Sequence, residues 1–333
     1  MMGKPLANAV NVEPLAPKLS WSSSYQKAHN VSVWEKICRA TAIAAVCIAP
    51  ISDIVHSGTD VDGNTSASKS ATHASASHSD AKLSELSYSK DLMIAGYGGA
   101  PFTYPSDVRA HKEGVRDFTV KDVAWDAKPF KSPIYYGVRV VRWPGNSRFG
   151  SMLDFTHSKT IARLAQDVKA TGQINGQPVP ESGPLKALFE RLEFSHGHNM
   201  LSLNAMMRLG RLTKNILPYV GLGAGVNLPH SEVQVQGDPK RSYEYQYTGP
   251  MAQGLIGVEL RLAKISYFVE YKFTLAKYLV PLSAQDGTEI GLFGDLFRQA
   301  KRWWSEKEPP DGWASTDLTS HNAIAGVGVR VSK

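Results

Sequence analysis

Eight stretches of alternating apolar and polar residues lie between about Leu92 and the C-terminus, and their connections are either very short or very long. That rhythm predicts an all-β fold: an eight-stranded antiparallel up-and-down outer-membrane β-barrel with long extracellular loops carrying short helices. Tight turns join Trp143 to Phe149, Arg208 to Ile216, and Leu262 to Ile265. Long connections fall around 104–132, 158–196, 229–248 and 281–319, which places them together at the outer end.

In the second strand Val138 and Val140 oppose Arg139, and in the third Met152, Asp154 and Thr156 point inward against Leu153, Phe155 and His157. The fourth sets Leu201, Leu203, Ala205, Met207 and Leu209 toward lipid, with His196, His198, Ser202, Asn204 and Arg208 on the other face. The fifth carries Gly221, Gly223 and Gly225, read as small inward residues beside bulky lumen groups. Glu259 and Arg261 in the sixth oppose Val258 and Leu260. In the seventh, Tyr267, Val269, Tyr271, Phe273 and Leu275 face lipid; turning Lys272 that way would cost up to about 2–4 kcal/mol near the midplane. Glu270 and Lys272 therefore belong inside, as a pair. The eighth repeats the glycines at Gly326 and Gly328. The lumen thus holds Arg139, Asp154, Arg208, Glu259, Arg261, Glu270 and Lys272, enough to fill so narrow a barrel and leave no pore.

The barrel is expected over 91–333. Ahead of it, 1–56 reads as a signal-like segment, because the apolar run Ala40–Ile48 follows Lys36 and Arg39. Residues 57–90, rich in Ser, Ala, Thr and His, read as a disordered linker. Both cysteines, Cys38 and Cys47, lie in the first segment, so the barrel has no thiol for a disulfide or a metal. The net charge of +7 comes with no basic stripe interleaved with aromatics and no phosphate-binding glycine loop, so nucleic acid is not the expected partner. Acidic lipid headgroups suit it better. The expected location is the bacterial outer membrane, with the protein as a monomer.

The second long loop carries helical spacing around Thr160–Val168 and Leu185–Leu192, and the fourth does so strongly over Gly291–Trp304. There Leu292, Phe293, Leu296, Phe297, Ala300, Trp303 and Trp304 alternate with Arg298, Lys301 and Arg302, the pattern of either an interfacial helix or a lid over the barrel mouth.

His157, His196, His198, His230 and His321 all stand where a strand meets a long loop, and are expected to converge on the outer rim. His196 and His198, two apart on one face, are candidates to chelate one ion with His157 and His230. Glu232, Asp154 or Glu193 would add oxygen ligands, a mixed set that suits iron, copper or manganese. A neutral histidine acting as a general base, and plain solvated loop residues, are the competing readings.

Several segments in order, Leu153-Asp154-Phe155-Thr156-His157-Ser158-Lys159, Leu192-Glu193-Phe194, Leu217-Pro218-Tyr219-Val220-Gly221, Pro229-His230-Ser231-Glu232, Thr248-Gly249-Pro250 and Glu270-Tyr271-Lys272, resemble the rhizobial lipid A oxidase family of outer-membrane barrels. The resemblance covers roughly 91–332. It implies oxidation of the proximal glucosamine of lipid A, within lipopolysaccharide, to 2-aminogluconate, with O2 as co-substrate and hydrogen peroxide released. It also implies a free reducing-end hydroxyl, since a phosphorylated anomeric oxygen cannot become a lactone.

Dioxygen accepts electron pairs poorly without a flavin or a metal, and a filled barrel offers no dinucleotide pocket, so a divalent redox-active metal is the expected cofactor. The candidate catalytic residues are Asp154, His157, His196, His230 and Glu232; the candidate metal ligands are His157, His196, His198 and His230. Lys159, Glu270, Lys272 and Arg298 are the candidate substrate contacts, the cations for phosphate or carboxylate. An acyl hydrolase with Ser195 or Ser202 as nucleophile, His196 or His198 as base and Glu193 as orienter is a second reading. A non-catalytic structural or adhesive barrel is the third.

Overall fold

The computed structural model describes residues 91–145, 147–286 and 291–331; the signal-like segment and the linker lie outside the described residues. Sixteen strands are present among them, all in one sheet. In chain order they are β1 (Asp91–Thr103), β2 (Ser106–Lys112), β3 (Arg116–Val123), β4 (Trp125–Asp126), β5 (Tyr136–Trp143), β6 (Phe149–Ala162), β7 (Asp167–Ile174) and β8 (Gln177–Pro178). They continue with β9 (Ser182–Pro184), β10 (Phe189–Arg208), β11 (Ile216–Asn227), β12 (His230–Val235), β13 (Ser242–Tyr245), β14 (Gly249–Leu262), β15 (Ile265–Pro281) and β16 (Trp313–Val331). One α-helix, α1, spans Gly291–Trp304.

Eight of the strands close a ring in the order β1, β5, β6, β10, β11, β14, β15, β16, with β16 paired back on β1 from Leu92↔Val331 to Thr103↔Ser320. Every pairing in it is antiparallel. The predicted eight-stranded barrel is therefore the ring, and the sheet as a whole exceeds it. The surplus comes from the long connections, which the sequence suggested were loops with helices. Thr160–Ala162 continues β6 and Asp167–Ile174 forms β7, while the second expected helix is only a 3₁₀ turn at Leu185–Ala187 ahead of β10. Of the three helical patterns, Gly291–Trp304 alone is an α-helix. The others lose because neighbouring strands supply ladder partners: Trp125 and Asp126 pair with Ala162 and Ile161, and β7 pairs with β3.

Strand length separates two tiers. About 9–11 residues cross a bilayer, yet β10 has 20, β16 has 19 and β15 has 17. Their upper parts stand above the ring and carry the extra strands. β2 and β3 hang from the top of β16, followed by β7, β8 and β9; β12 pairs with the top of β10 and β13 with β12. This cap has its own apolar core, in which Phe118 meets Phe189 at 5.7 Å alongside Leu185, Leu192 and Val235. Buried Arg116 fastens it: the guanidinium donates twice to Asp238, at 2.6 and 2.8 Å, and once to the Asp311 carbonyl at 2.5 Å.

The lower tier has the faces of a transmembrane barrel. Ile94, Val138, Val140, Leu153, Leu222, Ile256 and Val269 are exposed on its outside, with Tyr267 and Phe149 toward one end and Tyr136, Tyr271 and Phe102 toward the other. Inside, the expected charges are all paired. Arg139 donates to Glu270 at 2.8 and 3.0 Å and to Asp154 at 3.2 Å; Lys272 donates to Asp154 at 2.5 Å; Tyr219 donates to Glu270 at 2.8 Å. Beneath, Arg208 and Arg261 meet Asp91, and Arg261 and Ser266 meet Glu259. The inward glycines are needed for closure. A Cβ on Gly221 would meet the Met206 sulfur at 2.6 Å, and one on Gly326 would lie 2.6 Å from the Gly96 carbonyl oxygen.

Candidate functional site

At the top of the ring β10 departs from regular pairing. Phe194 opposes Thr160 and His198 opposes Ser158, so three residues of β10, 195–197, stand against one of β6, Lys159. The bulge is centred on Gly197, whose φ of 149° favours glycine, and a Cβ there would come within 2.7 Å of the Asn199 amide. It turns His196 away from His198. His198 is buried, with Nδ1 3.1 Å from Thr160 Oγ1 and its ring 5.5 Å from Tyr278. His196 is exposed and faces β12 and β13. The expected chelate of His196 with His198 is therefore not formed, because the positive φ of Gly197 between them breaks the regular alternation of side chains on which the two-apart count relied.

The side chains that do gather around His196 come from three strands. Its Nδ1 lies 3.2 Å from Ser195 Oγ and 3.6 Å from Glu232 Oε2, and its Nε2 lies 3.3 Å from the Tyr243 hydroxyl. The His230 ring sits 5.4 Å from His196, 4.4 Å from Tyr243 and 4.8 Å from Tyr245. Glu232 and Glu193 are direct cross-strand partners. Arg191 approaches Glu193 at 3.3 Å and Glu232 at 3.6 Å, and Arg241 donates to Glu232 while its guanidinium lies 4.2 Å over the Tyr243 ring. Asp286 anchors Arg241 from the other side at 2.8 Å.

The electrostatics follow from this packing. Burial, then His196 and Arg241, hold the His230 imidazole down at about 4, so it is neutral at pH 7, and its Nδ1 is buried without a hydrogen-bond partner. Burial and the facing Glu232 raise the Glu193 carboxyl above its ordinary value, against the opposing pull of Arg191.

Three of the five candidate catalytic residues, His196, His230 and Glu232, thus come together. The other two do not join them. Asp154 lies in the lumen network, shielded from solvent. His157 faces the outside of the ring, where Tyr136 stacks on it at 4.7 Å and Asn199 Oδ1 meets its Nδ1 at 2.8 Å. Since Asn199 and His157 are cross-strand partners, His157 and His198 point to opposite faces.

Of the four candidate ligands only His196 and His230 are neighbours, and among the described residues no three His, Cys, Asp or Glu are grouped to hold a metal ion. His321 is elsewhere again, on the outside of β16 between Tyr104, 2.7 Å from its Nε2, and Tyr271. The five histidines do not share one rim because β10 and β16 are separated around the ring.

The candidate substrate contacts also disperse. Glu270 and Lys272 are saturated by lumen partners. Lys159 Nζ donates to the carbonyls of Lys131 and Ser132 at 3.0 and 2.7 Å, and Arg298 reaches Glu244 at 3.4 Å. Sequence reasoning missed Tyr243, Arg241 and Arg191, which join the site only through the pairing of β10 with β12 and β12 with β13.

For the hydrolase arrangement the geometry is informative. Ser195 does reach His196, as the bulge permits, but Ser195 and Glu232 address the same nitrogen. A triad needs the acid on one ring nitrogen and the nucleophile on the other. Ser202 is buried in the lumen, 3.1 Å from Asn204 Nδ2.

Neither a protein-family model nor a curated protein matches the chain. Among solved structures it is similar to Neisserial surface protein A, with 10% identity, a TM-score of 0.32, and coverage of 72% of this chain and 96% of that one. The barrel itself is established by the register described above.

Proposed function

We propose that this chain is a lipid A oxidase of the bacterial outer membrane, acting from the His196 cluster on the reducing-end glucosamine of a lipid resident in the outer leaflet. The supporting observation is convergence. Leu192-Glu193-Phe194 and Pro229-His230-Ser231-Glu232, two segments that carry the family resemblance from far apart in sequence, are brought into direct register at Glu193↔Glu232 beside the exposed His196. The apolar outer face of the ring supports a position for this cluster above a lipid surface.

The overall reaction removes two electrons and two protons from the hemiacetal, from C1–H and O–H, and delivers them to O2 as hydrogen peroxide; water then opens the lactone to the acid. The residues present account for the proton. His196 Nε2, hydrogen-bonded to Tyr243 and backed by Glu232, is the acceptor for the anomeric hydroxyl. A redox metal would be the natural carrier of the electrons, but the four candidate histidines do not assemble one site for it among the described residues.

The test is mass spectrometry of 1-dephosphorylated lipid A incubated with the purified full chain, in air and without oxygen, with and without a chelator. A gain of one oxygen atom only in air, with peroxide released, is the expected result. Loss of an acyl chain would establish the hydrolase reading, against the sharing of His196 Nδ1 by Ser195 and Glu232. Unchanged lipid from folded protein would leave a binding barrel.

A further inference from the structure

The helix α1 is amphipathic, but it is mounted with its polar side against the protein. Asp295 and Gln299 are fully buried, whereas Phe293 is 85% exposed, Phe297 73% and Trp304 89%. The inward side chains read the strand edge beside them. Asp295 Oδ2 accepts from the Tyr245 amide at 3.0 Å; Gln299 accepts from the Tyr247 amide and donates to the Tyr247 carbonyl, each at 2.8 Å. The spacing matches, since four residues of helix rise about 6.0 Å and two of strand about 6.8 Å. Arg302 and Arg298 complete the attachment on Glu244, at 2.8 and 3.4 Å.

A lid over the barrel mouth would bury its apolar stripe and leave the polar one in water; this helix does the reverse. Its height is fixed by the register. Trp303 packs on Tyr247 at 5.8 Å. The next residue, Thr248, donates to the Asn227 carbonyl and accepts from the Leu279 amide. On the outside of β15 the apolar series Tyr267, Val269, Tyr271, Phe273, Leu275 meets its first charge at Lys277, which packs on Gly249. The helix is therefore fastened at the upper edge of the lipid-facing band, with its aromatic side turned outward.

We propose that α1 is a docking element for the outer-leaflet lipid surface, Phe293, Phe297 and Trp304 entering the acyl region beside the barrel and Lys301 meeting lipid phosphate. Continuity with the barrel's apolar outer face supports lipid rather than a protein partner, and exposed aromatics on one stripe beside a basic residue are the signature of an interfacial helix. The inference rests on the membrane-spanning reading of the ring and is independent of any chemistry at His196.

The test uses the full chain with Cys38 and Cys47 replaced by Ser, folded into vesicles of phosphatidylcholine and phosphatidylglycerol. Nitroxide labels are placed singly at Phe293→Cys, Phe297→Cys, Glu306→Cys and, as a reference on the barrel wall, Val269→Cys. All four are exposed positions, so labelling leaves the packing intact. The expected result is a ratio of oxygen to water-soluble nickel-chelate collisions several-fold higher at 293 and 297 than at 306, approaching that at 269. Nickel-dominated relaxation at 293 and 297 with oxygen-dominated relaxation at 269 would overturn the docking proposal alone. Nickel-dominated relaxation at all four would overturn the membrane reading with it. Protection from both agents at 293 and 297 would mean a protein-covered helix, and would also overturn the proposal.

Discussion

Lys272 Nζ stands 2.5 Å from Asp154 Oδ2 in the middle of the lumen, and neither side chain touches solvent. Removing one charge strands the other where water cannot reach it, a loss of typically about 3–5 kcal/mol. Lys272→Met should therefore lower the urea midpoint of the folded barrel markedly, whereas adding Asp154→Leu should restore much of it. Tryptophan fluorescence of the single and double variants in vesicles gives the comparison, and a double variant no better than the single would show that Arg139 and Tyr97, not Lys272, govern the stability of Asp154.

The glycines of β11 set how closely two strands approach. A Cβ on Gly225 would overlap the Leu201 carbonyl and lie 2.6 Å from Ser202 Cα, both backbone atoms, while one on Gly254 would meet only Leu222 Cδ2 at 3.5 Å. Gly225→Ala should sharply reduce the folded fraction on denaturing gels run without heating; Gly254→Ala should leave it near wild type.

His230 makes the cap sensitive to acid. Its folded value of about 4 lies below the roughly 6.5 of an unfolded histidine, so its neutral form is the one the fold accepts. The associated stability is complete above about 6.5 and is lost as pH falls toward 4. His230→Gln should flatten that part of the stability profile, and the difference between the two urea-midpoint curves isolates it from Glu193, which titrates nearby. Parallel curves from pH 7 to pH 4 would show that His230 charges freely in the folded protein.

Arg116 joins β3 to the segments around Asp238 and Asp311. Its loss leaves Asp238 without its bidentate partner and should loosen the cap while sparing the ring. Limited proteolysis of Arg116→Ala should cut the cap several-fold faster than wild type, with the barrel fragment surviving intact.

If His196 takes the hydroxyl proton, His196→Gln should lower oxidation about 10²-fold, the smaller end of general-base effects. Tyr243→Phe keeps the ring contact with His230 and removes only the hydroxyl, so its effect should be weaker. Peroxide release measured on both variants, normalised to folded protein, is the readout.

The ring was readable because each wall residue obeys one rule of period two: Leu203 out, Asn204 in, and so on for eight strands. Asp154, Glu270 and Lys272 announced the lumen by the cost of any other placement. The cap was harder. Ile161, Leu164 and Val168 fall at helical spacing, yet the chain turns at 163–166 and returns as β7, because β3 offers a ladder that no local pattern encodes. The site was illegible for two reasons. Gly197 shifts the register of β10, and with it the destinations of His196 and His198, while Tyr243 and Arg241 arrive through strand pairings that depend on contacts far along the chain.

The paired charges inside the ring also bear on the cell that carries this protein. With Arg139, Asp154, Glu270 and Lys272 locked across the passage, the barrel is plugged by its own side chains, and a plugged barrel adds no aqueous route through a bilayer.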